Sequence, residues 1–206
     1  MANVSNVKSK FFGAVDALDA DGISVAASIG SATTLTLGGT LTSGGSYTSG
    51  DNIGQLVTIL SAGDDSGITF TVVGTDAVGD ALTEVVTGAD ASTATSSGYF
   101  NTVTSITTSA SSAGNVSAGV TGTGTGTVFA GRTRIRGLQG LSGTAAGNLL
   151  FKNTSVTGTT LLTVPTQAAA ELIEPYIPDN AVLFDAGAYV SFGAGLAAGI
   201  TVFYDG

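Results

Sequence analysis

The sequence predicts an all-β protein: two antiparallel β-sandwich or barrel-like domains with an N-terminal arm and almost no helix. Three observations carry that expectation. Gly, Ala, Ser and Thr fill just over half of the 206 positions, with 31 glycines among them. An interior Gly costs a helix about 1 kcal/mol relative to Ala, and Thr loses rotamer freedom there. Thr, Val, Ile, Tyr and Phe recur instead in short runs of period two, the pattern of a half-buried strand. Gly, Asn, Asp and Ser separate these runs at the intervals of a sandwich. Hydrophobic residues make up 43% of the chain, enough to build a core.

Residues 1–22 read as an arm attached to the first domain, because Phe11, Phe12, Val15 and Leu18 form an apolar cluster without a regular period. The first domain, 23–128, opens with strands at 23–28, 33–37 and 53–60. Ile68, Phe70 and Val72 then alternate with Thr69 and Thr71. A turn-rich connection over 74–80 leads to strands at 81–87, 99–107 and 115–120. The alternating Thr-Gly run from Thr121 to Thr127 reads as a linker or an edge strand and marks the boundary. A second β domain, 129–206, follows, with strands at 127–138, 148–156, 159–164, 181–184, 188–192 and 200–204. Residues 165–172 are expected to make one or two helical turns, which Pro175 and Pro178 prevent from extending. The uncharged run 186–204 is nearly long enough for a membrane span. Its glycines and the alternation of Val190 and Phe192 with Tyr189 and Ser191 favour two strands instead.

Composition excludes several chemistries. The chain has no His, Cys or Trp, so it holds no Ser-His-Asp triad, no Cys-His pair, no imidazole or thiolate metal site and no disulfide. Nothing at the N-terminus resembles a secretory signal, since residues 1–10 lack an apolar stretch. Charge is sparse, at 10%, and uneven. No Lys or Arg occurs between Phe11 and Gly131, while ten acids lie between Asp16 and Asp90.

The remaining motifs read as structure. Asp19 and Asp21 precede Gly22 as turn residues, because an EF-hand loop would need an acid where Ala17 sits and a Glu where Ser28 sits. Asp64, Asp65, Asp76 and Asp80 could hold Ca²⁺ as clustered loop carboxylates, but hairpin turns use the same residues, and no metal or cofactor site is assigned. The Thr-Gly run lacks G-x-G-x-x-G spacing and a following helix, so it does not predict nucleotide binding. Glu171 and Glu174 fall on one expected turn, neighbours rather than the opposed pair a glycosidase uses. Arg132, Arg134 and Arg136 have period two and project from one strand face. They serve either as contacts to an acidic partner or as a solvated face with cross-strand ion pairs. Three arginines on a chain of net charge −9 do not make a nucleic-acid surface.

Two stretches resemble the small virion structural proteins of tailed bacteriophages of the marine and cyanobacterial type. The first runs from Ser61 through Val72, Gly74, Thr75 and Asp76, the 81–88 strand, and 99–106. The second is 177–190 with the terminal 200–205. Together they cover under half the chain, and their motifs are structural. The resemblance implies a β-rich, non-enzymatic module assembled in many copies on a capsid, neck or tail. It also implies synthesis in the host cytoplasm and residence in the virion. The expected partners are copies of the chain itself, with trimers common among such modules, and other virion proteins such as the major capsid protein. Neither nucleic acid nor membrane is expected as a partner. Capsid decoration or cement is the first expectation, and a tail, baseplate or fibre-associated protein with a host-adhesion role is the alternative. Contacts are expected at the two basic places, Lys8, Lys10, Phe11 and Phe12 in the arm and Arg132, Arg134 and Arg136 on their strand. For host-glycan binding the candidate aromatics are Tyr47, Tyr99, Tyr176 and Tyr189.

Overall fold

A computed structural model describes residues 6–206, and no helix occurs among them. The first strands in chain order are β1 (Val7–Gly13), β2 (Asp19–Ser28), β3 (Thr42–Ser43), β4 (Ser46–Thr48), β5 (Gly54–Ser61) and β6 (Thr69–Thr75). They are followed by β7 (Ala81–Thr87), β8 (Thr93–Phe100), β9 (Thr102–Thr108), β10 (Asn115–Phe129), β11 (Thr133–Ser142) and β12 (Gly147–Asn153). The last are β13 (Thr160–Thr166), β14 (Leu172–Ile173), β15 (Val182–Phe184), β16 (Ala188–Gly193) and β17 (Ala197–Asp205). The all-β class expected from composition is the class observed.

The strands gather into two compact units, each built from separate stretches of chain. The first takes residues up to Val15 together with Asp51–Ile53 and Thr125–Gly206; the second takes Asp16–Gly50 and Gly54–Gly124. This differs from the contiguous division expected, with an arm at 1–22 and domains at 23–128 and 129–206. The first five residues of that arm lie outside the described residues. The rest divides: β1 pairs along its whole length with β17, from Val7 opposite Asp205 to Gly13 opposite Gly199. Residues from Asp16 onward belong to the second unit. On the side of β1 that carries buried Phe12 stand Lys8, exposed, and Lys10, half-buried, which breaks the apolar alternation a strand would show.

Within the first unit, β17 lies between β1 and β11, and β14 and β15 also pair with β11. A second layer runs β13, β12, β16 and on to β10. Inward residues of both layers meet in one core that includes Phe12, Ile135, Leu149, Phe151, Val190 and Val202. Within the second unit, one sheet runs β3, β4, β9, β6, β7, and the facing layer is built from β2, β5, β8 and β10. Tyr47, Ile59, Phe70, Phe100, Val103 and Ile106 are among its fully buried side chains. Strand β6 shows why these sequences fold this way. Phe70 and Val72 are buried, while Thr69, Thr71 and Val73 are half-buried, so one face fills the core.

Several details depart from the sequence reading. The expected strand at 33–37 forms only a single bridge, Thr34 opposite Thr107. The expected strand at 99–107 divides at Asn101, whose backbone N–H donates to the Thr75 carbonyl (2.7 Å) and whose side-chain amide donates to the Gly50 carbonyl (3.1 Å). The Thr-Gly run is neither linker nor edge but part of β10, an interior strand. No helical turn forms at 165–172. Ala169 and Ala170 adopt positive φ (90° and 52°), and both backbone N–H groups donate to the Gly143 carbonyl. The chain then extends as β14 against β11, so Glu171 and Glu174 do not share a helical turn. Residues 186–204 hold β16 and β17, and no helix among the described residues is long and apolar enough to cross a membrane.

Candidate interaction surface

The alternation of β1 sorts its candidate residues into two groups. Phe12 is fully buried in the first unit's core and offers nothing to a partner. Lys8 and Lys10 stand opposite Tyr204 and Val202, both buried. Each ammonium lies over an aromatic ring, Lys8 Nζ 5.8 Å from the Phe129 centroid and Lys10 Nζ 5.8 Å from that of Phe12. Partial burial lowers the pKa of Lys10 from its ordinary value. Phe11 points the other way and remains 45% exposed.

The three arginines do alternate as expected: Thr133 and Ile135 are buried between them. Arg132 itself precedes β11 rather than lying in it. Their charges are used within the chain. Arg136 donates from Nε to Asp205 Oδ2 (2.7 Å) and from Nη1 to the Asp179 carbonyl (3.0 Å), and its Nη2 forms an ion pair with Asp205 Oδ2 at 2.6 Å. Arg134 Nη1 donates to the Asn180 carbonyl (2.6 Å), and Arg132 Nε stands 3.8 Å from Asp185 Oδ1. The stripe therefore ties residues 179–185 to the sheet, the cross-strand role that had been the alternative to partner contact.

The feature that sequence reasoning missed is the outer face of the β1-β17-β11-β14 sheet. Register places Phe11 opposite Thr201, Thr201 opposite Gln139, Gly199 opposite Leu141, and Leu141 opposite Leu172. Leu141 is 50% and Leu172 60% exposed. Together with Phe11, Gln139, Gly199 and Thr201 they line a shallow depression of about 420 Å³ in which no lining residue is charged. Gly199 makes it possible, because a β-carbon there would stand 2.7 Å from Phe11 Cζ. Phe11 and Leu141 were legible as apolar residues but not as members of one sheet face. Telling outward from inward positions required the register.

Charge is divided between the units. The first unit has six basic and six acidic residues, while the second has nine acids and no Lys or Arg. In the second unit, Tyr47 Oη donates to Asp16 Oδ2 (2.8 Å) and lies 3.2 Å from Gln55 Oε1, which also accepts from Asp16 N–H (3.0 Å). Burial raises the pKa of Asp16, and the Tyr47 hydroxyl opposes that shift. Burial likewise pushes the Tyr47 phenol well above its ordinary range. A groove of about 480 Å³ beside β2 is lined by Ser24, Val25, Leu35 and their neighbours, with no titratable group. Among the described residues no group of three or more His, Cys, Asp or Glu is arranged to hold a metal ion. The four candidate glycan-binding tyrosines do not share a surface role: Tyr47 is core, Tyr99 and Tyr189 are half-buried in strands, and Tyr176 is 87% exposed.

No known family, no curated protein and no solved structure matches the chain.

Proposed function

We propose that the protein is a non-enzymatic virion structural component that assembles in copies through the outer face of its β1-β17-β11-β14 sheet. One observation carries this reading: Phe11, Leu141 and Leu172 share an exposed, uncharged sheet face. Exposed apolar patches of this kind mark interaction sites on soluble proteins. The occupant we assign is a second copy of the chain. The face carries no charge to attract a charged partner, and its polar members, Gln139 and Thr201, suit a self-complementary contact. The −9 charge of the second unit makes copies repel elsewhere, which directs association to the neutral unit. An all-β, sandwich-like architecture, and the resemblance of segments within 61–106 and of 177–190 with 200–205 to phage virion proteins, supply the context. Capsid decoration or cement is the role we favour.

We place anchoring on Phe11 and the apolar face rather than on the arginines, since Arg134 and Arg136 are engaged with Asn180, Asp179 and Asp205 within the chain. Reconstruction of intact virions tests the reading directly. Density for the sandwich repeated over the shell supports decoration. Density confined to the tail assigns the alternative role, and absence of the protein from purified particles overturns both.

A further inference from the structure

Beyond assembly, the structure points to an ion site: we propose that Asp65 binds a single hard cation, of the Ca²⁺ class, inside the second unit. Asp65 is 1% exposed. Its backbone N–H donates to the Ala89 carbonyl (3.0 Å), and its Oδ1 accepts the Ala113 N–H (2.7 Å). The carboxylate is thus fixed where three loops meet, at 61–66, 88–92 and 112–115. Ser61 N–H to the Ser92 carbonyl (3.0 Å), Ala62 N–H to the Asn115 carbonyl (2.9 Å) and Ala91 N–H to the Gly63 carbonyl (2.9 Å) hold those loops together. The packing is close, since a β-carbon at Gly63 would stand 2.9 Å from the Ala113 carbonyl oxygen.

Within this closed junction the second carboxylate oxygen, Asp65 Oδ2, has no hydrogen-bond partner, and neither does Ser61 Oγ, on a residue itself 1% exposed. Buried polar atoms in folded proteins are almost always satisfied, and a buried unpaired charge is the costliest exception. The protein has no means of neutralising it locally, because the second unit contains no Lys or Arg. A bridging water would supply hydrogen bonds but no charge. A hard cation supplies the charge and accepts carboxylate, hydroxyl and carbonyl oxygens together. Among the described residues no group of three or more His, Cys, Asp or Glu gathers around a metal position, so most of the ligands are neutral oxygens and water. The surrounding eight acids of the unit favour a divalent ion over a monovalent one.

The test uses the full chain, freed of metal with EDTA and titrated with CaCl₂ at constant ionic strength. The wild type should show a saturable rise in Tm and calorimetric binding of one ion per chain. Asp65→Asn keeps the shape but removes the charge. It should lose the Ca²⁺ response and, in EDTA, melt no lower than wild type. Asp80→Asn, at an exposed turn, should respond as wild type does and so separates a site from general screening. The proposal is overturned if wild-type Tm and calorimetry show no saturable Ca²⁺ binding. It is equally overturned if Asp65→Asn retains the full response.

Discussion

Phe11 lies across Gly199, with its ring occupying the space a β-carbon would take, 2.7 Å from Cζ. The two residues belong to neighbouring strands, diagonal across the pair: Phe11 is opposite Thr201, two residues from Gly199. An aromatic ring laid over a strand glycine flattens the sheet surface and shields the backbone beneath. Here it builds one wall of the apolar depression.

Substituting Gly199→Ala should therefore move the ring without dismantling the fold. Phe11 is half-exposed and can swing outward, but Gly199 holds a φ of 158° that favours glycine, so the stability cost should be about 1–3 kcal/mol. Self-association should weaken roughly tenfold as the face loses its shape. Thermal melts and sedimentation on the same samples separate the two effects.

Lys8 and Lys10, first expected as anchoring residues, also bear on pairing at the sheet edge. They sit on the inward side of β1, the end strand of its sheet, with ammonium groups over Phe129 and Phe12. Inward-pointing lysines on an edge strand discourage edge-to-edge pairing, because burying them against a new strand strands their charge. Lys10→Val should leave the fold intact yet produce larger, concentration-dependent species with added β signal. Light scattering on fresh samples of both proteins checks this.

The Asp16–Tyr47 pair predicts a pH dependence. Burial raises the Asp16 pKa, so the folded state holds this proton more tightly than the unfolded chain. Its contribution is fully present below the unfolded value, about pH 3.9, and is lost as pH rises through the raised folded value. Asp16→Asn should accordingly melt higher than wild type at pH 7, with the gain disappearing near the acid end. Tyr47→Phe removes the hydroxyl that donates to the carboxylate and should cost about 1.5–3 kcal/mol at pH 7. Denaturant unfolding across pH checks both signs.

Arg134 and Arg136 hold the Asp179 and Asn180 carbonyls against β11. The double change Arg134→Ala with Arg136→Ala should leave the sandwich core folded while increasing protease cleavage at 178–181 severalfold. Limited proteolysis followed by mass analysis of the fragments reads this out. Self-association should survive, because the arginines do not line the apolar depression.

Local pattern made most of the fold legible. The period-two run around Phe70 and Val72, the turn residues between strands and the scarcity of helix formers all act over a few residues. The burial of Thr133 and Ile135 between the arginines was legible for the same reason. The missed features depend on distant partners. Strand β1 is recognisable only beside β17, nearly 200 positions away, because Lys8 and Lys10 interrupt its apolar face. The Ala169–Ala170 stretch has good helix formers, yet tertiary bonds to the Gly143 carbonyl override them. Asp65 looked like an ordinary turn residue, and only its burial distinguishes it from Asp64 beside it.

The most direct measurement of the account's claim is sedimentation equilibrium of the full chain over the micromolar range, wild type against Leu141→Lys with Leu172→Lys. Both side chains are at least half exposed, so the fold should tolerate the change while the face gains two charges. Assembly through this face requires a defined, concentration-dependent oligomer for the wild type and a monomer with little-changed Tm for the variant. A monomeric wild type, or a variant that associates as strongly as wild type, would contradict it.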